Sequence, residues 1–592
     1  MSLLAVLFLL AQQQINQTII VTASEMPETV ESTPASVTVI TKKDIDAHAA
    51  RDVADVLREV PGLTLARTGS AGKATSLFAR GAASTQTLVL WNGIEINNPY
   101  FAGYDWGRFS TAGVEQIEVV RGPFSSLYGS DAMAGVVNVL TTPSTSGVRA
   151  EVQGGGRGLR NGLIDGAYLG GPVEVSGAAE HRDDDGFSAN DDFHQNSYNL
   201  FGKWSPSKSF SLGLAGRATS YNLGIPFNTN ADGTQLVPSL HRRQDGRETQ
   251  IAVPISFNVV NLTLSQNKRR DDFSDPEDPF TTSSRTDSTS RRARLTAHLG
   301  TFIAGVDYER AVVSDVTNSG PNFLDRRRID RALFVEDRYS HAVGSSRVEL
   351  SAGVRNDRFD VFGSQTSPRV AAAYITGAHK FRVAYGQGFR APSLGELYYP
   401  FFGNPNLKAE RNRSFEAGVD SGFGSSSLWT ISYFRSRYRD LITFDPTTFI
   451  SENIGRVRTE GIELGVKQPI TRAIYTSISY TYLYRADDEA TGLRLARRPK
   501  NSGSLFLGWR HASLDANLAV LRTGARVDSQ AVVPFSRVID RPFTTVDFNV
   551  QMRMRTLTPF VKIENLANAR YEEVSGYPSP RRRAIVGLRF EM

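Results

Sequence analysis

The stretch VEQIEVVRGPFSSLYGSDAMAGVVNVLTT, residues 114–142, decides the fold of the chain. It begins with an apolar run around Ile117 and Val119, which stops at the Arg-Gly-Pro of residues 121–123. A glycine-punctuated segment, LYGSDAMAG, follows, and a second apolar run occupies residues 136–140. Short runs rich in branched apolar residues, bounded by glycine and proline, are typical of strands. We therefore expect two strands joined by an irregular turn.

The residues before this stretch predict a further strand and a helix. Residues 36–40 alternate as a strand, and Thr41 followed by Asp44 has the spacing of a capping-box start. One apolar helix face is formed, at the expected spacing, by Val53, Val56, Leu57 and Val60. The Pro-Gly pair at 61–62 ends that pattern. The order of strand, helix and strand up to residue 143 predicts a compact α+β unit.

From Val148 onward the hydrophobic period changes to two. One clear example is formed by Ile474, Thr476, Ile478, Tyr480, Tyr482 and Tyr484, and another by Ala584, Val586, Leu588 and Phe590. Alternation over ~10 residues, broken by charged and glycine-rich loops, is what a lipid-embedded barrel requires. The length of this part of the chain is enough for ~22 strands with their connections. A soluble propeller or solenoid would need a fixed repeat, and the sequence contains none.

The composition excludes several classes of protein. The chain has no cysteine, so a disulfide framework, a thiolate metal site and a cysteine nucleophile are all excluded. The net charge is +6, and the basic runs at 268–270 and 326–328 lie beside aspartates. We expect these charges to be solvated or to contact lipopolysaccharide, and we expect no nucleic acid partner. No metalloprotease, nucleophile-elbow or dinucleotide motif occurs in a suitable context, so we expect no enzymatic activity.

Two short segments at the N-terminus predict export and a partner. Residues 1–11, MSLLAVLFLLA, fit a secretory signal peptide. Residues 17–23, QTIIVTA, are short and β-prone. An extended segment of this kind can add a strand to the sheet edge of another protein.

The decisive stretch, together with LFARGAASTQTLVLWNGIEINNP at 77–99, resembles the plug domain of TonB-dependent outer-membrane receptors. FRAPSLGELYYPFFGNPNLKAERNRSFEAG (389–418) and IENLANARYEEVSGYPSPRRRAIVGLRF (563–590) are most similar to the cobalamin transporters of this class. The resemblance implies a transmembrane antiparallel β-barrel of about 22 strands over residues 148–592. It also implies an N-terminal α+β plug domain, residues 24–143, inside the lumen.

The same resemblance implies TonB-dependent import of a large, scarce ligand across the outer membrane of a Gram-negative-type cell. The expected ligand is cobalamin or another corrinoid, and a ferric siderophore is the alternative within the class. A passive porin or surface adhesin is the alternative from another class. The expected partners of this monomer are TonB with its inner-membrane energising complex, and outer-membrane lipid and lipopolysaccharide. No cofactor is required.

Several site residues follow from the resemblance, by position. The TonB box is expected at Gln17, Thr18, Ile19, Ile20, Val21, Thr22 and Ala23. The plug arginines Arg80 and Arg121 are expected to pair with the barrel glutamates Glu410 and Glu416, because a charge inside the lumen is costly unless it is paired. Such charge-assisted bonds would hold the plug at rest and still let force displace it.

The apical plug loops, RTGSA at 67–71 and NPYFAGYD at 98–105, are expected to face the ligand. Aromatic side chains there would offer a large contact area to a bulky planar molecule. The expected substrate-binding residues are Arg67, Thr68, Gly69, Ser70, Asn98, Tyr100, Phe101, Tyr104, Asp105 and Trp106.

The acidic segment HRDDDGFSANDD, residues 181–192, invites comparison with a calcium loop. His181 at the first position and Asp192 in place of glutamate exclude a true EF-hand. The resemblance to cobalamin transporters leaves open a looser calcium site on Asp183, Asp185, Asp191 and Asp192. Simple solvated acidity is the alternative.

Overall fold

A computed structural model of the chain describes residues 19–20, 22–23, 27–400, 402–422, 427–444 and 450–592. Its main feature is a closed antiparallel barrel of 22 strands. The strands are Gly147–Gly155, Arg160–Gly170, Val173–Asp184, Phe193–Ser207, Phe210–Gly224, Arg243–Phe257, Val260–Ser274, Ser283–Leu299, Phe302–Thr317, Gly320–Val343, Ser346–Phe359, Gly363–Thr376, His379–Arg390, Glu410–Ser421, Leu428–Phe444, Ser451–Pro469, Ile474–Asp488, Asn501–His511, Leu514–Thr523, Phe543–Met552, Leu557–Glu564 and Arg583–Glu591.

The barrel closes because its first and last strands pair, with Ala150 opposite Phe590 and Val152 opposite Leu588. Along each strand the side chains alternate between the two faces of the wall. In Phe210–Gly224, for example, Leu214 is exposed on the outside while Arg217 is buried on the inside. The period-two pattern therefore places apolar side chains toward lipid and polar ones toward the lumen, and the predicted fold class is confirmed.

The two ends of the barrel differ in the length of their connections. At one end the turns are short, as at 171–172, 208–209 and 258–259. At the other end long loops occur, including 225–242, 391–409, 524–542 and 565–582. Long loops face the cell exterior in barrels of this kind. Three of them contain small hairpins, Phe227–Thr229 with Leu236–Pro238, Arg526–Ser529 with Arg537–Asp540, and Glu572–Val574 with Tyr577–Pro578. A fourth contains the helix Leu394–Tyr398.

The N-terminal unit is built on a five-stranded sheet in the lumen. Its strands, in spatial order, are Ser36–Thr41, Gln116–Arg121, Gly135–Leu140, Thr87–Trp91 and Ile94–Glu95. The third and fourth strands are parallel and the other pairs are antiparallel. A separate hairpin joins Leu63–Arg67 to Thr75–Ala79. The two strands expected within 114–142 are thus present at the centre of the sheet.

Short helices cover this sheet. Lys42–Ala47 begins at a capping box in which Thr41 and Asp44 satisfy each other's backbone N–H groups. Val53–Leu57 follows, and the predicted face of Val53, Val56, Leu57 and Val60 is buried in the main core with Trp91 and Trp106. The other helical turns are Ser84–Gln86, Trp106–Arg108 and Ser125–Tyr128.

Among the described residues, no helix combines the length and apolar character needed to cross a bilayer. The predicted signal peptide, residues 1–11, lies outside the described residues, as do Gln17, Thr18 and Val21 of the predicted TonB box.

Candidate functional site

Arg80 joins the plug to the barrel wall. Its Nε and Nη2 donate to the two carboxylate oxygens of Glu463 at 2.8 and 2.9 Å, and its Nη1 donates to Glu416. The residue has a φ of 51°, in the left-handed region, and is followed by Gly81 with a φ of 80°. Arg80 N also donates to Gly62 O at 2.7 Å. This tight turn at the end of Thr75–Ala79 directs the guanidinium into the wall.

Arg121 occupies the neighbouring position on the plug sheet. Its Nη1 donates to Pro61 O at 2.8 Å, its Nη2 donates to Ser36 Oγ at 2.9 Å, and its Nε lies 3.5 Å from Glu463. The sequence interpretation missed Glu463, which contacts both plug arginines. Nothing in the local sequence distinguishes it from the other glutamates of Ser451–Pro469, because only the pleat and register of the strand turn it inward.

The expected pairing of Glu410 with a plug arginine is wrong. Glu410 instead accepts from the barrel residue Arg390 at 2.7 Å and from Gln86 of the plug at 2.8 Å. Arg390 lies on the adjacent strand, directly opposite Glu410, so its guanidinium is close enough to bind that carboxylate. Glu416 does contact Arg80, and it shares its other oxygen with the barrel residue Arg382.

Further charged contacts surround the plug. Arg51 donates to Glu564 at 2.7 Å, and Arg58 makes a two-pronged contact with Glu573 at 2.8 and 2.9 Å. On other sides of the lumen the pairs Asp52–Arg182 and Glu95–Arg292 are 2.8 and 2.6 Å apart. Removing one partner of a buried pair typically costs about 3–5 kcal/mol. The plug is therefore held in the lumen by several polar bonds on different sides.

A cavity of about 160 Å³ lies between the plug and the wall. It extends from His48 and Phe506 to the outer-loop residues Pro580 and Arg581. Its lining is strongly charged and includes Arg51, Asp55, Arg58, Glu59, Arg182, Asp547, Lys562, Glu564, Glu573 and Arg583. The plug thus leaves polar space along one side of the barrel, next to helix Val53–Leu57.

The described part of the predicted TonB box is docked against the plug. Ile19–Ile20 pairs with Glu28–Thr29 in a two-stranded sheet. Thr22 is buried, its N–H donates to Glu118 Oε2 at 2.8 Å, and its carbonyl accepts from Tyr128 Oη at 2.9 Å. Residues held in this way have to be released before their backbone can pair with a partner's sheet.

Of the predicted apical aromatics, Phe101 alone is exposed, at 67%. Tyr104 and Trp106 are buried in the main plug core, and Tyr100 is buried beside Phe323 and Leu394, so the expectation that these three face the ligand is wrong. Tyr100 is covered by the barrel loop 391–409, whose helix packs on the plug loop. Leu394 N donates to Pro99 O at 2.9 Å and Gly395 N donates to Tyr100 O at 3.1 Å.

The polar residues predicted in the apical loops serve mainly to fix those loops. Asn98 is buried and its side chain accepts from Tyr100 N at 2.8 Å, while Asp105 accepts from Thr75 N at 2.9 Å. Arg67 donates through its backbone to Glu573 at 2.8 Å. Thr68 is half-buried and Gly69 is buried with a φ of 111°.

Ser70 and Lys73 tie the first apical loop to the barrel. Ser70 Oγ donates to Asp191 Oδ1 at 2.6 Å. Lys73 Nζ donates to the backbone oxygens of Asp191 and Asp192 at 3.0 and 3.4 Å and lies 3.3 Å from Asp191 Oδ1. Burial lowers the pKa of Lys73, although the neighbouring carboxylates oppose that shift. The sequence interpretation missed Lys73, a lone basic residue in a small-residue loop.

The four aspartates considered for calcium have different partners. Asp183 accepts from His194 at 2.7 Å, and Asp192 accepts from Arg243 at 2.6 Å. Asp191 is engaged by Ser70 and Lys73, and the backbone N–H of Asp185 donates to Arg157 O. Within the described ranges, no group of three or more histidines, aspartates or glutamates is arranged to hold a metal ion.

The outer loops meet over the plug and leave apolar side chains exposed. Val533 N donates to Gly233 O at 2.8 Å, and the rings of Phe227 and Tyr577 are 6.2 Å apart, so loops 225–242, 524–542 and 565–582 touch one another. Exposed apolar residues of the outer loops and plug apex include Phe101, Leu240, Phe280, Phe402, Phe535 and Ile539. Of these residues, the sequence-based expectations included only Phe101, although large apolar residues isolated in polar loops indicate a contact surface.

Two family models match the chain. The model described as TonB dependent receptor-like, beta-barrel matches residues 134–566, and the TonB-dependent Receptor Plug Domain matches residues 29–136. The chain therefore belongs to the TonB-dependent receptor family and is an outer-membrane β-barrel protein. That family consists of receptors and transporters.

Individual relatives agree with this assignment. The vitamin B12 transporter BtuB of Photobacterium profundum is 27% identical over 539 residues, which cover 88% of this chain and 87% of that protein. Among solved structures, P. aeruginosa FpvA bound to heterologous pyoverdines has a TM-score of 0.80 at 15% identity, covering 98% of this chain and 89% of that one. The siderophore receptor PirA from Acinetobacter baumannii has a TM-score of 0.77 at 15% identity, with 94% and 98% covered. The two structural likenesses concern the fold.

Proposed function

We propose that this protein imports a corrinoid such as cobalamin across the outer membrane, energised by TonB. The observation that carries the proposal is the 27% identity to a vitamin B12 transporter along 88% of the chain. The plug supports active rather than passive passage, because buried ion pairs such as Arg80–Glu463 hold it inside the closed barrel. The ligand passes unmodified, so the protein acts as a transporter and not as an enzyme.

The transport cycle follows from the contacts of the plug. The outer loops and the exposed Phe101 capture the ligand. The segment around Thr22 then leaves its contacts with Glu118 and Tyr128, and its backbone pairs with TonB. Force applied there reaches the plug sheet along the chain, since the segment continues to the sheet strand Ser36–Thr41. Part of the plug is displaced and the ligand enters the periplasm.

Three arginines of the outer loops are already paired with carboxylates. Arg242 pairs with Asp275 at 3.2 Å, Arg497 with Asp528 at 2.9 Å, and Arg526 with Asp540 at 3.2 Å. Cations that are already neutralised in this way attract a strongly anionic molecule less than free ones would. A corrinoid, with its apolar ring and neutral amide arms, needs no free cation at these three positions, while exposed arginines such as Arg541 and Arg582 make no ion pair with the described residues and would suit an anionic ferric siderophore.

The test is parallel binding of cyanocobalamin and of ferric siderophores to the full chain in detergent. We expect corrinoid binding, weakened about tenfold by Phe101→Ala because a large aromatic contact is lost. Phe257→Ala is the matched control, since Phe257 is similarly exposed but lies at the opposite, periplasmic end. Sub-micromolar siderophore affinity without corrinoid binding would reject the proposed ligand. Uptake that survives deletion of residues 17–23 would reject energised transport.

A further inference from the structure

The cavity of about 160 Å³ beside helix Val53–Leu57 has the character of a solvent layer. Its volume is enough for several water molecules. Two buried side chains that line it, Arg51 and Arg182, each have an N–H group with no hydrogen-bond partner among the described residues. Buried donors of this kind are satisfied by water. We call this side of the molecule the cavity face, which comprises plug residues 47–58 and the wall strands Asn501–His511, Leu514–Thr523, Phe543–Met552 and Leu557–Glu564.

The plug meets the four strands of the cavity face mainly through polar groups. Lys562 Nζ, for example, donates to Ala49 O at 3.1 Å. Phe506 stacks on the ring of His48 at the periplasmic end of the cavity. The four strands, every residue of which the structure describes, contribute no side chain to the two main apolar clusters of the plug. Little apolar surface is therefore shared between plug and wall on this face.

The other side of the barrel packs on the plug with apolar side chains. We call it the packed face, and it comprises the wall strands from Phe193–Ser207 to Gly363–Thr376. Wall residues of this face that belong to the two main apolar clusters of the plug are Phe201, Ala215, Ala252, Ile303 and Phe334. All five are almost fully buried. Separating these contacts exposes apolar surface to water, which is unfavourable.

Inward arginines of the packed face also reach the plug. Arg294 Nη2 and Arg355 Nη1 donate to Leu127 O at 2.9 and 3.2 Å. The guanidinium of Arg369 lies 4.3 Å from the ring centre of Phe124. These long side chains fill the space between wall and plug and bind the plug backbone directly. The packed face is thus held by apolar and polar contacts together.

The wall of the cavity face offers a smoother surface. Its inward residues include the short side chains of Asn517, Ala519, Thr545 and Asn549. Neighbouring strands lie ~4.8 Å apart, so withdrawal of the plug from all four strands would clear a strip of wall about 15 Å wide. The cavity already extends along this strip from His48 to the outer-loop residue Arg581.

We propose that the imported ligand crosses the barrel along the cavity face, while the packed face keeps the rest of the plug in place. The route presupposes the proposed import of a large ligand and adds the side of the plug on which the passage opens. Two ion pairs have to break, Arg51–Glu564 and Arg58–Glu573. Both adjoin helix Val53–Leu57, and water in the cavity is at hand to solvate their charges.

The experiment uses single cysteines as probes, because the chain has none of its own. Ala519→Cys places a thiol on the cavity face, and Ala252→Cys places one on the packed face at a similar distance from the periplasmic end of its strand. Both point into the lumen, since Ala519 lines the cavity and Ala252 belongs to the main plug core. Ala371→Cys is a second buried site on the packed face. The thiol reagent is fluorescein maleimide, which is too large to enter the resting cavity.

Labelling is measured in cells supplied with cyanocobalamin, with and without TonB. We expect Ala519→Cys to react about tenfold faster when TonB is present, because the thiol reacts in proportion to the fraction of time that the passage is open. Ala252→Cys and Ala371→Cys should keep the same slow rate in both kinds of cell.

A second measurement needs no ligand. The full chain, purified in detergent, is held in urea below the concentration that unfolds the barrel, and the reaction of each thiol is followed. Ala519→Cys should become reactive at a lower urea concentration than Ala252→Cys, because fewer apolar contacts hold the cavity face. Equal labelling after complete unfolding and equal melting temperatures before it show that the variants differ in access alone.

Uptake of cyanocobalamin, measured in the same cells, separates the route from the identity of the ligand. If the wild type takes up none, the proposed ligand is rejected and the urea comparison decides the route. Faster labelling of Ala252→Cys than of Ala519→Cys in either measurement would overturn the route. Equal acceleration at all three sites would also overturn it, since the plug would then leave the barrel as one body. Uptake without any change at Ala519→Cys would place the passage elsewhere.

Discussion

Arg80 Nε in the plug lies 2.8 Å from Glu463 Oε1 in the barrel wall, although 383 positions separate the two residues in the sequence. Both side chains are almost fully buried, with exposed fractions of 2% and 3%. Two carboxylates, Glu416 and Glu463, depend on this one plug arginine for part of their neutralisation. This buried contact therefore joins the plug directly to the barrel wall.

Replacing Arg80 by methionine should loosen the plug. The change leaves both carboxylates short of a cation, and we expect the free energy of plug unfolding to fall by about 3 kcal/mol. Urea unfolding followed by the fluorescence of the buried plug residues Trp91 and Trp106 measures it. Arg80→Met with Glu463→Gln should lose less than the sum of the single changes. Arg541→Met, at an exposed site, is the control and should leave the free energy of plug unfolding unchanged. If the plug of Arg80→Met were as stable as that of the wild type, the role given to this bond would be contradicted.

Lys73 is expected to organise the outer loop 185–192 in place of a metal ion. Its ammonium group lies among three oxygens of Asp191 and Asp192, which are ligands of the kind that calcium prefers. Lys73→Met should lower the melting temperature, because Asp191 stays buried without its cation.

Calcium separates this explanation from a metal site. With about 1 mM calcium, a concentration suited to weak extracellular sites, the melting temperature of the wild type should not change. In Lys73→Met the oxygens of Asp191 and Asp192 have lost their cation, so adding calcium should raise the melting temperature of this variant. Stabilisation of the wild type by calcium that is reversed by a chelator would contradict the assignment and restore the calcium site considered for the four aspartates.

His48 should make plug seating depend on pH. Its Nε2 lies 2.8 Å from Glu59 Oε1, and its ring stacks on the barrel residue Phe506 at 4.2 Å. Burial opposes protonation, but Glu59 and Asp44 outweigh it and raise the pKa of His48. Since the unfolded value is about 6.5, the stabilisation is complete below that pH and is lost as pH rises through the folded value. Each unit of the rise corresponds to about 1.4 kcal/mol.

The measurement is the melting temperature of wild type and His48→Gln between mildly acidic and mildly alkaline pH. The difference between the two proteins should be largest at the acidic end and should shrink as pH increases. His379→Gln, at an exposed histidine near a periplasmic turn, is the control and should show a constant difference. A difference that grows with pH would mean that folding lowers the pKa of His48, against the expected sign.

The sequence predicts the barrel well because its period-two pattern is a direct consequence of a wall between lipid and lumen. It predicts the start of Lys42–Ala47 for a similarly local reason, since the capping box of Thr41 and Asp44 involves only neighbouring residues. The basic run at 268–270 shows that composition alone does not predict which side chains face the lumen. The pleat turns Arg269 inward to Glu248 and Asp271 and leaves Lys268 and Arg270 exposed outside.

Contacts between distant segments could not be predicted. Tyr104 and Trp106 look like ligand-facing loop aromatics until one knows what packs around them, and Tyr100 is covered by loop 391–409, which comes almost 300 residues later. The choice among Glu410, Glu416 and Glu463 depends on the register of several strands, and a slip of one residue would turn each side chain to the other face. Local sequence carries no information on either point.

The contact between Thr22 and Tyr128 predicts that docking of the N-terminal segment limits its access to TonB. Tyr128 Oη donates to Thr22 O at 2.9 Å, and Glu118 holds the N–H of the same residue at 2.8 Å. Tyr128→Phe removes one neutral hydrogen bond, worth about 1 kcal/mol. The fraction of released segment, and with it the affinity for TonB, should rise about fivefold. Glu118→Gln should raise the affinity further, because hydrogen bonds to a charged group are stronger.

Binding of the purified periplasmic domain of TonB to the full chain in detergent measures this affinity, with the exposed Tyr339→Phe as control. Unchanged or weaker TonB binding by both Tyr128→Phe and Glu118→Gln would show that the docked segment is already free to pair.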